Sequence, residues 1–261
     1  MAKNLEELSV SVSPHRQKII SLLSAKKWFR STDFEIQKKL FTLPIDFDGY
    51  LTDLADRKDE YGGLMVNKLQ EALVGNYGVL SIFEVMSIQN AHTFTYEYTS
   101  WKFGKDRGYR GLILFEEEGK IKYFLLRKTD KFAISETIYE TVGTFVSHGN
   151  TKMDVPSEVK YQINKELGMK DVEIKRFIDL GKIAIDPVLA NSTPTLYAAV
   201  IDLPGDNDLE DIRKKIYKTK PISFNVVVEP IEKIWEYVEK TDESYFLACV
   251  ARLASMGIIE T

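Results

Sequence analysis

Between Gly143 and Met169 the chain reads GTFVSHGNTKMDVPSEVKYQINKELGM, and no other stretch restricts the possible folds as much. Val159, Ile163 and Leu167 recur every fourth position, the spacing that puts side chains on one buried stripe of a helix. Asp154 can cap the helix start, Pro156 suits its first turn, and Gly168 stands where a left-handed C-terminal residue is expected. Beside the apolar stripe runs a second one, Glu158, Gln162 and Glu166, so those three side chains share a face. A glycine-bearing strand, a short polar loop and a half-buried helix therefore follow one another.

The arrangement resembles the Nudix box, whose pattern is G-x5-E-x7-R-E-U-x-E-E-x-G-U with U aliphatic. Aligned without gaps at its C-terminal end, the chain places Glu166, Gly168 and Met169 on the last Glu, Gly and aliphatic positions, and Ile163 on the earlier aliphatic one. Tyr161 and Gln162 stand where the family has Arg-Glu, and Lys165 where it has the first of two paired glutamates. The positions that shape and pack the helix are kept, and most of the acids are not. The resemblance implies an α/β chain, a Nudix-like α/β/α sandwich over residues 93–261; residues 1–92, which it does not cover, read from their own pattern as a mainly helical N-terminal region.

The chain has 261 residues, 44% of them apolar and 28% charged, which is ordinary for a globular protein and enough for one large or two modest domains. A net charge of −4 argues against general affinity for nucleic acid, which needs a concentrated basic surface. No apolar run is long enough to span a bilayer, and the N-terminus lacks the layout of a signal peptide, so a cytoplasmic location is expected. The single cysteine, Cys249, has Phe246, Leu247, Ala248 and Val250 as neighbours and reads as a buried small residue. His15, His92 and His148 are not spaced to share a zinc ion.

In chain order, Pro14 opens a helix through RQKIISLLSAKKWF, and Thr32 with Glu35 has capping-box spacing for a second helix to Leu40. The acidic run from Asp46 to Glu60 reads as a solvated polar stretch, since the ligand order of a calcium loop is absent. LMVNKLQEALVG, closed by Gly75, has the spacing of a helix. GVLSIFEVMSI and TFTYEYTSWKF read as strands, GLILFEEE and KIKYFLLRKT as a hairpin turning at Gly119. Two strands are expected around Gly181, then a loop with Asp186, Pro187, Asn191 and Ser192, and a strand from Thr195 to Ile201. A short helix is expected in LEDIRKKIY, a strand in FNVVVEP, and a final capped helix stopping near Gly257.

An intact box hydrolyses a diphosphate bond with Mg2+ or Mn2+, which bridges phosphate oxygens and activates water. Carried onto this chain, the resemblance implies Glu166 as catalytic residue, Glu166 and Glu158 as metal ligands, and Lys165, Gln162 and Asp186 as ligand-binding residues. Two helical turns separate Glu158 from Glu166 by about 12 Å, too far for both to bind one ion directly. Lys165 brings a positive charge that would meet a phosphate as a point charge. These substitutions point to a domain that binds a nucleotide-type ligand, such as ADP-ribose or a nucleotide sugar, or serves as a scaffold, with little or no hydrolysis. The alternatives are an active pyrophosphohydrolase drawing on Glu136, Glu140 or Asp186, and a purely structural or protein-interaction module, in which the N-terminal region would support a homodimer or a protein partner. Lys102, Lys105, Arg107 and Arg110, interleaved with Trp101, Phe103 and Tyr109, read as loop charges beside partly buried rings.

Overall fold

In a computed structural model the described residues are 13–131, 135–145, 155–167, 173–184, 186–202 and 225–260. The chain divides into two compact units, the first made of Met1–Arg107, Ser147–Gly149 and Ala184–Thr193, the second of Gly108–Val146, Asn150–Ile183 and Pro194–Thr261.

Among its described residues the first unit opens with four α-helices, α1 (Pro14–Ala25), α2 (Lys27–Arg30), α3 (Phe34–Phe41) and α4 (Asp48–Asp56). Ser13 caps α1 through its hydroxyl, and Pro14 occupies the first helical position. Asp33, rather than the expected Thr32, caps α3 by accepting from Glu35 N at 2.8 Å. The Thr32 hydroxyl instead donates to Trp28 O and accepts from Leu69 N, joining α2 to the sheet.

That sheet has the order β1-β2-β3-β4-β10, from β1 (Glu60–Tyr61), β2 (Leu64–Val74), β3 (Gly78–Ser87), β4 (Thr93–Trp101) and β10 (Ala190–Asn191), with β10 parallel to β4 and the other pairs antiparallel. Trp28, Phe29, Leu40, Tyr50, Leu51 and Leu54 of the helices meet Leu69, Ala72, Val79 and Phe83 of the strands in one core. The expected helix at Leu64–Gly75 is the strand β2. Its register against β3 shifts between Val66 and Lys68 and again between Leu69 and Glu71. Those two bulges break the alternation, so the buried residues Leu69 and Ala72 are three apart and imitate a helical stripe.

The acidic run also differs from its solvated reading. Asp48 is 3% exposed and paired with Arg16, itself 4% exposed, whose guanidinium also donates to Leu43 O at 2.7 Å and Pro44 O at 2.9 Å. Asp46 pairs with Lys102 at 2.6 Å.

The second unit is built on a sheet with the order β12-β6-β5-β11-β9, formed by β12 (Asn225–Pro230), β6 (Lys120–Lys131), β5 (Gly108–Glu117), β11 (Thr195–Asp202) and β9 (Ile174–Lys182). β7 (Glu136–Glu140) pairs with β6, and β8 (Val142–Phe145) with β5. The hairpin joining β5 to β6 turns on Glu118 and Gly119, both at positive φ, the two-residue connection that suits strand twist. β9 is one strand rather than two. Gly181 lies inside it at φ 78°, where a register shift against β11 leaves one residue unpaired.

Alternating residues of this sheet feed two cores. On one face Ile113, Phe115, Leu125, Tyr197 and Ala199 pack with Val159 and Ile163 of α5 (Val155–Leu167). On the other, Leu112, Leu114, Phe124, Leu196 and Ala198 pack with Ile234 of α6 (Ile234–Lys240) and with Phe246, Cys249, Val250 and Leu253 of α7 (Ser244–Ser255). A sheet with helices on both faces is the α/β/α sandwich expected from the resemblance. Cys249 is fully buried, and burial pushes its thiol up to about 12. The loop from Ser147 to Asp154, Gly168 and the expected helix LEDIRKKIY lie outside the described residues.

Candidate functional site

α5 carries the face on which the sequence concentrates its chemistry. Val159 and Ile163 are fully buried, so the residues one position before them, Glu158 and Gln162, fall at the edge between the core and the surface. Gln162 Nε2 donates to Glu158 Oε1 at 3.2 Å, one helical turn away. The side chains of Lys165 and Glu166, further along α5, lie outside the described residues.

The Mg2+ or Mn2+ that the resemblance implies asks for several oxygen ligands at one point. Among the described residues no three His, Cys, Asp or Glu side chains group to hold an ion. On α5 the amide of Gln162 takes up a carboxylate oxygen of Glu158, in competition with any ion. Of the two acids on α5, Glu158 is the one whose side chain is described.

Of the acids outside the box, Glu140 and Asp186 are engaged elsewhere. Glu140, at the end of β7, is 4% exposed and accepts from Lys131 Nζ at 2.6 Å, with Arg110 and Arg127 each 3.8 Å away. Burial works to raise its carboxyl, but the hydrogen bond from Lys131 and the neighbouring positive charges outweigh it and hold the group below the ordinary range. Glu243 caps α7 by accepting from Tyr245 N and Phe246 N and also from Thr141, while burial pushes its carboxyl up. Arg110 lies over the Tyr245 ring at 5.3 Å. Glu136 is exposed at the start of β7.

Asp186 belongs to the first unit, whereas Glu158 and Gln162 belong to the second. Its Oδ1 accepts from Val188 N at 3.1 Å and Leu189 N at 3.0 Å, and its carbonyl accepts from Ala190 N. That turn delivers Ala190 and Asn191 to the edge of β4.

There, wholly within the first unit, a cavity of about 490 Å³ is lined by α4 and the residues after it, by β2, β3 and β4, by Lys105, and by Ala184, Pro187 and residues 190–193. The Phe83 and Tyr98 rings stack at 5.7 Å, and the Arg57 guanidinium lies 5.1 Å and 4.6 Å from their centres. Asp53 Oδ2 accepts from Lys105 N at 2.7 Å and from Asn191 Nδ2 at 3.4 Å. Burial pushes the Asp53 carboxyl up to about 6, despite the hydrogen bond from Lys105. The charge run hid Asp53 from the sequence reading. Tyr96 and Tyr98, alternating on β4, were the signal of an aromatic wall.

No family model matches the chain, and no curated protein matches it. Solved structures do match. The crystal structure of an ADP compounds hydrolase superposes with a TM-score of 0.54 and 11% identity, covering 77% of this chain and 100% of that chain. At that identity the likeness is one of fold, and it agrees with the Nudix-like α/β/α sandwich. Among the described residues no helix is long and apolar enough to cross a membrane.

Proposed function

We propose that this chain is a Nudix-like protein with a degenerate box that binds a nucleoside diphosphate derivative, such as ADP-ribose or a nucleotide sugar, with little or no hydrolysis. The ligand class is supported by a fold in common with an ADP compounds hydrolase. The observation that carries the loss of turnover is the bond from Gln162 to Glu158. A helix face that must gather carboxylates around Mg2+ instead holds one of them against a neutral amide. In this reading Glu158, Gln162, Lys165 and Glu166 form the ligand edge of α5. Lys165 meets a phosphate directly and partly replaces the cation.

The test is a panel of ADP-ribose, dinucleotide polyphosphates and nucleotide sugars, assayed with Mg2+ and Mn2+ for released products and, separately, for thermal stabilisation. A ligand that binds only the native state raises its melting temperature. The expected result is a raised transition with at least one compound and no turnover. Turnover that disappears in Glu166→Ala would establish a hydrolase instead. No shift with any compound would favour a scaffold.

A further inference from the structure

The cavity of the first unit plays no part in the reading of α5, and we propose that it binds a guanine nucleotide. The required chemistry is a planar ring presenting two adjacent N–H donors, joined to an anionic group. The inference rests on the first unit alone and stands or falls apart from the proposed function.

Three features of the cavity meet such a ligand. The first is a face on which to stack. Arg57 lies over the Phe83 and Tyr98 rings and all three line the cavity, so a planar ring that enters it meets a wall of guanidinium and aromatic surface.

The second is an acceptor edge. Asp53 Oδ2 is taken by Lys105 N and Asn191 Nδ2, and among the described residues no donor is bonded to Oδ1. Asp53 lines the cavity, so that oxygen is open to the donors of a ligand. Guanine offers N1–H and the N2 amino group side by side, which a carboxylate accepts well. Adenine offers one amino group beside a ring acceptor, and that acceptor would face the carboxylate with like polarity.

The third is positive charge for the anionic group. Lys58 and Lys105 line the same cavity and, with Arg57, outnumber its acids Asp53 and Asp56, while Asp106 also acts on Asp53; Lys58 lies 5.9 Å from the Tyr61 ring. A volume of about 490 Å³ is within the range that small-molecule sites occupy.

The experiment is calorimetric titration of the full-length protein with GMP, AMP and guanosine at pH 7.5, then with GMP at pH 5. Asp53→Asn keeps an oxygen that can accept from Lys105 N, so this variant retains the local fold, which its melting curve checks. The expected order is GMP tighter than AMP by about tenfold or more, the scale set by hydrogen bonds to a charged acceptor. GMP is also expected to bind more tightly than guanosine, with a smaller difference in Lys58→Ala. Asp53→Asn weakens GMP by about tenfold or more, Asn191→Ala weakens it less, and pH 5 weakens it in the wild type.

No binding of GMP, equal binding of GMP and AMP, or undiminished binding in folded Asp53→Asn each overturns the inference. If GMP binding is lost in Glu158→Gln but kept in Asp53→Asn, the nucleotide sits on α5. The cavity assignment then fails while the proposed function stands.

Discussion

Lys131 Nζ donates to Glu140 Oε2 at 2.6 Å, tying the far end of β6 to the end of β7 through a carboxylate that is 5% exposed at its side chain. Arg110 and Arg127 lie 3.8 Å from the same carboxylate, so one buried negative charge is shared by three positive ones. Glu140→Gln keeps the shape and removes the charge. Breaking a buried pair from one side costs 3–5 kcal/mol, and the 34% exposure of the Lys131 side chain reduces this to roughly 2–3 kcal/mol. Urea denaturation measures it, and a loss below about 0.5 kcal/mol would show that the cluster is well solvated. Because the folded-state carboxyl sits below its ordinary 4.5, its contribution is present above that pH and disappears as pH falls through the lower folded value.

Asp53 behaves in the opposite sense. Its ordinary value of 3.8 rises to about 6 in the folded chain, so the native state holds this proton more tightly than the unfolded state does. Between about pH 4 and 6 the group therefore subtracts stability as pH rises. Asp53→Asn is expected to melt at or above the wild type at pH 7, with the difference shrinking toward pH 4. Thermal denaturation across that interval decides it. A variant markedly less stable at pH 7 would mean that the carboxylate is needed to hold Lys105 and Asn191 in place.

Gln162→Glu replaces the amide that holds Glu158 with a second carboxylate one turn away. Mn2+ affinity, followed by the paramagnetic signal of the free ion, is expected to rise on the order of tenfold, because affinity for a hard cation follows the charge and number of oxygen ligands. Without Mn2+ the variant is expected to be slightly less stable, since like charges at this spacing repel by about 0.2–0.5 kcal/mol. Unchanged Mn2+ binding would reject the placement of these residues at a former metal face.

Arg16→Met leaves Asp48 buried without its cation and strips the donors from Leu43 O and Pro44 O. A loss of about 3–5 kcal/mol is expected, read by chemical denaturation. Asp48→Asn, which keeps an acceptor for Arg16, is expected to cost less.

How much of this was legible in the sequence depended on how local each cause is. The hairpin at Gly119 was readable because two neighbouring residues decide it. The stripe of Val159 and Ile163 was readable because a helix repeats its own period, and both residues are buried as that period required. β2 was misread because its bulges are set by the register of β3, which the segment LMVNKLQEALVG does not contain. The cavity was invisible because Asp53 and Asn191 are 138 positions apart and meet only when β10 joins β4. Asp48 looked like one solvated acid among many until Arg16, 32 residues earlier, turned out to neutralise it.

The segment Ala184–Thr193 leaves one sheet and supplies the edge of another before the chain returns at Thr195 to lie beside β5. Neither unit is thus a continuous length of polypeptide. A ribosome that has released residues 1–107 has not yet released Asn191. The cavity wall must wait for β10 to emerge, after most of the strands of the other sheet. A fragment ending at Arg107 retains every described helix and long strand of the first unit, but it lacks the amide that meets Asp53. Such a fragment would be a vessel with one side missing.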